Sequence, residues 1–292
     1  MTGFDKRITP ARPDLAAAHL KGRVEAGCFV EGRLLRVIEE VIGVRPEPNP
    51  EASLDTQALF GEDVMVYEDH EGWAWGQLLR DGYVGYFPAN ALRAPGPAPT
   101  HRVAVPRSFA WPGVNIKLPV VTALPLGARL AVREMLGEFG RLADGSFVLL
   151  RHLALLDAPI HDFVSVAEQF LHVPYLWGGK TSLGLDCSGL LQVSLDAAGI
   201  NAPRDSDMLL AAIGQPLEIT PDHSGLVRGD LLFWRGHCGI MRDGKNLLHA
   251  NGYHMQVASE PLHQASARIL ANSYGPVTAV KRLVPIAPNV VG

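Results

Sequence analysis

Cysteine is scarce in this 292-residue chain, which holds only Cys28, Cys187 and Cys238. They stand far apart and form no C-x-x-C pair, which excludes a disulfide framework and a paired-thiolate zinc site. An excess of charge of one sign is lacking too: 26 Lys+Arg face 30 Asp+Glu, for a net charge of −4. No dense basic block occurs, so no phosphate-tracking surface and no nucleic-acid partner is expected. Apolar runs of about 18 residues, the length of a membrane-spanning helix, are missing. The apolar run at residues 15–18 is shorter than the about 7–15 residues of a signal-peptide core. No membrane partner is expected, and the expected location is cytoplasmic, with reduced thiols. A hydrophobic content of 47% with 19% charged residues excludes wholesale disorder.

What is present is punctuation. The 22 prolines and 30 glycines cluster at 44–53 (VRPEPNPEAS) and 93–100 (RAPGPAPT), and both read as extended spacers. Between them Val64/Val66, Trp73/Trp75 and Tyr83-Val-Gly-Tyr-Phe87 alternate in short strands, with turns at Glu68-Asp-His-Glu-Gly72 and Asp81-Gly82. Short strands with turns every 8–12 residues predict a small all-β barrel or sandwich. Residues 101–157 repeat that grammar, with strands expected at Val103/Val105, Val120-Val121, 130–132 and 147–150. From about 158 the pattern is mixed. The spacing of Phe163, Val166 and Phe170 predicts one helix, 187–198 a second and 207–213 a third, followed by strands at 231–234, 237–242, 247–250 and 277–283. Helices first and sheet afterwards is an α+β layout. The expected organisation is an extension at 1–35, β modules at 36–93 and 101–157, and an α+β domain at 158–292.

Asp186-Cys187-Ser188-Gly189 opens the second expected helix. A cysteine in a first helical turn meets unpaired backbone N–H groups and the positive end of the macrodipole, which favour thiolate over thiol. The same N–H groups would hold an oxyanion. Taken alone, Cys187 is a nucleophile candidate or a small buried hydrophobe; Cys28 and Cys238 have no such setting. A base is offered by the strands that flank Arg242-Asp243-Gly244. A three-residue hairpin loop there pairs Met241 with Lys245 and sets His237 directly across from His249 on one face, with Gly239 beside them leaving room for substrate. A two-residue Asp243-Gly244 turn would put the histidines on opposite faces.

Tyr175-Leu-Trp-Gly-Gly, Leu185-Asp-Cys-Ser-Gly-Leu190, Gly229-Asp-Leu-Leu-Phe-Trp234, His237-Cys-Gly-Ile240 and Leu248-His-Ala250 together resemble the NlpC-type murein cysteine peptidases. The resemblance implies a papain-like fold, with Cys187 as nucleophile, His237 as base and then acid, and His249 as the residue that orients it. It also implies a Tyr175 hydroxyl beside the oxyanion site. The β modules resemble the bacterial SH3-like domains of the γ-D-glutamyl-L-diamino-acid endopeptidase (dipeptidyl-peptidase VI) subgroup. The implied fold is therefore α+β: a papain-like domain preceded by two small SH3-like barrels.

The implied activity is hydrolysis of the γ-D-Glu–diamino acid bond in murein stem peptides with a free N-terminal L-Ala, in the recycling of wall peptides. Glu62 and Tyr83 match the segments that receive the substrate amine, with Asp186 as a further carboxylate; the alternatives are a solvated turn acid and a barrel-core tyrosine. Pro203-Arg-Asp-Ser206 resembles an Arg-x-Ser motif, which makes Arg204 and Ser206 candidates for a substrate carboxylate, unless Arg204 pairs with Asp205 or Asp207. Ser188 is a further candidate contact. No metal or cofactor is expected. Two other functions fit the same residues: a non-catalytic binder of wall peptides, and an amidase or acyltransferase of the same fold.

Overall fold

A computed structural model describes residues 4–160, 162–220 and 223–283. The chain divides into two compact units, one of residues 1–159 with 177–182 and the other of residues 160–176 with 183–292.

The first unit is built almost wholly of short strands. After a parallel pair, Leu15–Ala17 with Cys28–Val30, seven strands follow: β1 (Arg33–Val37), β2 (Val41–Val44), β3 (Thr56–Leu59), β4 (Asp63–His70), β5 (Trp73–Leu78), β6 (Val84–Pro88) and β7 (Leu92–Arg93). They form a five-stranded sheet in the order β6-β5-β4-β1-β7 and a two-stranded β2-β3 ladder. The alternation read from the sequence is the burial pattern: Val64 and Val66 of β4 join Val44, Ala58, Leu78, Tyr83 and Phe87 in one core. The strand runs further than expected, however. Glu68–His70 pair with Trp73–Trp75, and a bulge between Val66 and Glu68 absorbs the shift.

A second set of strands follows: β8 (His101–Val103), β9 (Arg107–Trp111), β10 (Thr122–Pro125), β11 (Arg129–Leu130), β12 (Val132–Leu136), β13 (Phe139–Leu142), β14 (Phe147–Leu149) and β15 (Leu153–Leu155). They make a β10-β9-β14-β13-β12 sheet and a β11-β8-β15 sheet over a core of Val103, Ala110, Leu124, Leu130 and Val148. Val120 and Val121, expected in a strand, are instead exposed ahead of β10. The two β sets touch closely at Gly61 (φ +79°), where a Cβ would lie 2.0 Å from the Arg129 carbonyl oxygen. Only glycine fits that contact.

The second unit carries α1 (Phe163–Glu168), α2 (Cys187–Ala197), α3 (Ser206–Ala212), β16 (Gln215–Leu217), β17 (Leu231–Trp234), β18 (His237–Met241), β19 (Asn246–Asn251), β20 (Gln256–Pro261), α4 (Leu262–Asn272) and β21 (Ala279–Arg282). Its six-stranded antiparallel sheet runs β16-β21-β17-β18-β19-β20. Ten of the eleven residues of α2 are buried, as expected of a helix that is apolar nearly all round. β20 and α4 were not foreseen, so the expected order of helices then sheet is wrong: α4 intervenes before the last strand. Its sequence, LHQASARILAN, places Leu262, Ala265 and Ile269 against Leu232, Trp234, Met241 and Leu247. Leu262, Ala265 and Ile269 stand at i, i+3 and i+7, the spacing of an amphipathic helix, so the signal for α4 is present in the sequence.

Candidate active site

The site is assembled in the second unit, where α2 begins. Asp186 is the N-cap: its Oδ1 accepts from Gly189 N at 2.7 Å, satisfying a first-turn donor as cap residues do. Cys187 follows as the first helical residue and is 8% exposed. The hairpin from β18 to β19 supplies the histidines. Its register differs from the expected one by two residues. Ile240 pairs with Leu248 and Met241 with Leu247, because the chain turns through Asp243-Gly244-Lys245 and Asp243 Oδ1 accepts from Lys245 N and Asn246 N. An even shift preserves the face. His237 and His249 are therefore diagonal rather than directly opposite, and their rings meet, with Nε2 of His237 2.8 Å from Nδ1 of His249.

The directly opposite position is Gly239, where a Cβ would lie 3.1 Å from the His249 Cβ and 2.9 Å from Leu247. The room at Gly239 is thus taken by His249 and Leu247, not reserved for substrate. Both histidines are buried, His237 at 3% and His249 at 0% exposure. His249 Nε2 donates to Glu260 Oε1 at 2.9 Å.

The Cys187 thiol is held well below its usual pKa, first by a hydrogen bond from Cys238 and then by His237, against the opposing effect of burial. Cys238, buried beside it, is pushed upward by desolvation and stays a thiol. Cys238 was expected to be a packing residue only; the structure puts its sulfur against the Cys187 thiolate. Tyr175 is also near, and burial together with the Cys187 and Asp186 charges raises its hydroxyl pKa, so it remains a donor. Tyr274 was missed altogether. Its ring stacks on His237 at 5.4 Å and 10° between planes, and Trp234 lies on the same imidazole at 5.5 Å and 43°. No periodic pattern in the sequence around Tyr274 signals that role.

Several expected substrate contacts are instead structural. Arg204 is fully buried and grips Asp186 with Nη1 at 3.0 Å and Nη2 at 2.6 Å. Its Nη1 also donates to Ser188 Oγ at 2.8 Å. Arg204, Asp186 and Ser188 are thus held by one another; the bidentate partner of Arg204 is Asp186, and Asp205 adds its charge. The two charges stand at the starts of different helices, Asp186 capping α2 and Arg204 ahead of α3, and no local spacing links them. Ser206 is half-buried at the start of α3, and no hydrogen bond joins it to that cluster among the described residues.

In the first unit, Glu62 is 1% exposed, with Arg80 Nη1 at 3.1 Å and Lys180 Nζ at 3.7 Å. Burial opposes its ionisation, but those two cations and the Leu59 N–H hold its pKa below the usual carboxylate value. Glu62 is thus already paired with two cations, and Tyr83 packs in the barrel core. One group of possible metal ligands, His249, His254 and Glu260, brings its donor atoms within 4.8 Å of one another. Arg268 already neutralises Glu260 through two hydrogen bonds, which disfavours a cation there, and we assign none.

Fold and site together define a papain-like thiol peptidase. The NlpC/P60 family matches residues 172–270, and the bacterial dipeptidyl-peptidase Sh3 domain matches residues 44–92. The chain is 30% identical over 224 residues to a gamma-D-glutamyl-L-lysine dipeptidyl-peptidase of Bacillus subtilis (strain 168), covering 68% of this chain and 72% of that protein. It is 26% identical over 208 residues to the protein of the same description from Bacillus cereus, covering 62% of this chain and 60% of the other. The crystal structure of an NlpC/P60 family protein from Bacillus cereus superposes with a TM-score of 0.73 at 18% identity, over 87% of this chain and 100% of that one. The chain belongs to the NlpC/P60 family and is a peptidase with an SH3-like domain ahead of its catalytic fold.

Proposed function

We propose that this peptidase hydrolyses the γ-D-glutamyl–diamino acid bond of murein stem peptides and releases L-Ala-D-Glu. The observation that carries the chemistry is the placement of Cys187 at the N-terminus of α2, against a buried His237–His249 pair. The Cys187 thiolate attacks the γ-carbonyl carbon, forming an S–C bond. First-turn N–H groups of α2 and the Tyr175 hydroxyl receive the oxyanion. His237 gives its proton to the leaving amine as the C–N bond breaks, then takes one from the water that cleaves the thioester. The substrate class is supported by similarity to proteins described as gamma-D-glutamyl-L-lysine dipeptidyl-peptidases.

A requirement for a free N-terminal L-Ala is the finer part of the reading, and the shielding of Glu62 by Lys180 makes it the part to test. A role in wall-peptide recycling inside the cell is part of the same proposal. Incubation with L-Ala-γ-D-Glu-diaminopimelate should yield the dipeptide, and Cys187→Ala should abolish it; an active Cys187→Ala protein overturns the mechanism. Cleavage of the N-acetylated tripeptide at an undiminished rate overturns the free-amine requirement alone.

A further inference from the structure

His237 is useful as a base only in one tautomer. One ring nitrogen, Nε2, faces His249, and the opposite side of the ring serves the Cys187 sulfur. To take the thiol proton, Nδ1 must carry the lone pair and Nε2 the hydrogen. Two neutral imidazoles share a hydrogen bond equally well in either direction, so the pair by itself leaves the choice open. The far nitrogen of His249 makes it. His249 Nε2 lies 2.9 Å from Glu260 Oε1, and a carboxylate only accepts. Nε2 of His249 therefore holds the hydrogen. Its Nδ1 holds a lone pair, and His237 Nε2–H must donate to it. That leaves the lone pair of His237 on Nδ1, at the sulfur.

This order of tautomers requires His249 neutral and Glu260 ionised. His249 is wholly buried, and desolvation pushes its pKa down to about 4 despite the carboxylate. Glu260 is held down to about 2: His249 and Arg268 outweigh the burial that opposes its ionisation. Arg268, from α4, donates Nη1 to Oε2 at 2.7 Å and Nη2 to Oε1, and its guanidinium lies 4.2 Å from the centre of the Tyr253 ring. The other titratable or charged groups around the relay are Cys187 of α2 with its cap Asp186 and Arg204 behind it, Cys238 of β18, and Tyr175, His254 and Tyr274.

We propose that Glu260, clamped by Arg268, is a positioning residue that fixes the tautomers of His249 and His237, and whose charge steadies the imidazolium formed when His237 takes the Cys187 proton. The proton moves from Sγ to Nδ1 of His237, giving a thiolate and an imidazolium; Glu260 neither gains nor loses one. The inference rests on the reading of Cys187 as nucleophile and His237 as base.

The test compares Glu260→Gln and Arg268→Gln through the pH dependence of Cys187 alkylation by iodoacetamide and through kcat/KM on the tripeptide. Glu260→Gln is expected to lower kcat/KM about tenfold or more and to move the onset of alkylation to higher pH. Arg268→Gln, which leaves the carboxylate without its cation, is expected to move that onset to lower pH. A merely structural role would shift both variants the same way or neither, and either result overturns the proposal. In a His249→Ala background, Glu260→Gln should change alkylation by less than about twofold; a full effect there also overturns it. Should Glu260→Gln fail to fold, an unchanged alkylation profile in Arg268→Gln is by itself sufficient to refute. An active Cys187→Ala protein would sink the underlying mechanism, whereas an inactive one beside an unaffected Glu260→Gln would sink only the role of Glu260.

Discussion

The Arg204–Asp186 pair ties the start of the nucleophile helix to the loop before α3, and its removal should be costly in a way that can be measured. Arg204 is 1% and the Asp186 side chain 11% exposed, with contacts of 2.6 and 3.0 Å. Arg204→Met leaves the buried carboxylate without its bidentate cation. Breaking a buried pair from one side costs about 3–5 kcal/mol. Domains of about 150–250 residues lose roughly 2–4 °C in Tm per kcal/mol, so a drop of roughly 6–20 °C is expected. Removing both charges is different. Asp186→Asn with Arg204→Met keeps a good N-cap for Gly189 and leaves no buried charge, so it should return to within about 1–2 kcal/mol of the parent.

The chemistry should report the same event. The Asp186 charge raises the Cys187 pKa, and with Arg204 gone it would do so unopposed, slowing alkylation of Cys187 near pH 6. The assay is urea unfolding of the three proteins beside their alkylation rates. An Arg204→Met protein within about 1 kcal/mol of the parent, or a double variant no better than the single one, would refute the reasoning.

Acid stability should depend on His249. Its pKa of about 4 in the folded protein lies below the ordinary 6.5, so below pH 6.5 the unfolded chain binds a proton that the folded chain refuses. Stability therefore falls as pH drops from about 6.5 to about 4. His249→Gln removes that contribution, and the gap in urea midpoint between parent and variant should narrow from pH 7.5 to pH 5; a constant gap contradicts this. Cys238→Val should raise the Cys187 pKa by deleting the S–H donor that does most to lower it, seen as slower alkylation near pH 6, while the apolar site keeps its packing. An unchanged rate would show that His237 and the helix terminus suffice.

Locally determined features were legible in the sequence. The strands around Val64/Val66 and Trp73/Trp75, the helix opening at Cys187 and the strands bearing His237 and His249 follow from hydrophobic period and turn chemistry. Ordered motifs carried the family. The loop between His237 and His249 shows where this limit lies. Sequence left two registers open, one that sets the histidines on a shared face and one that parts them, and the Asp243 side chain bonded to Lys245 and Asn246 set the actual turn.

Tertiary structure alone decided the rest, because charge pairing in a low-dielectric interior depends on which distant groups meet. Arg204 went to Asp186, Lys180 to Glu62 and Arg268 to Glu260, each across a separation no periodicity encodes. Those encounters turned three expected substrate contacts, Glu62, Asp186 and Arg204, into buried ion pairs, and they brought Glu260 to His249. The residue types that do chemistry could be read from the sequence; which carboxylates remain available for it was settled only by the fold.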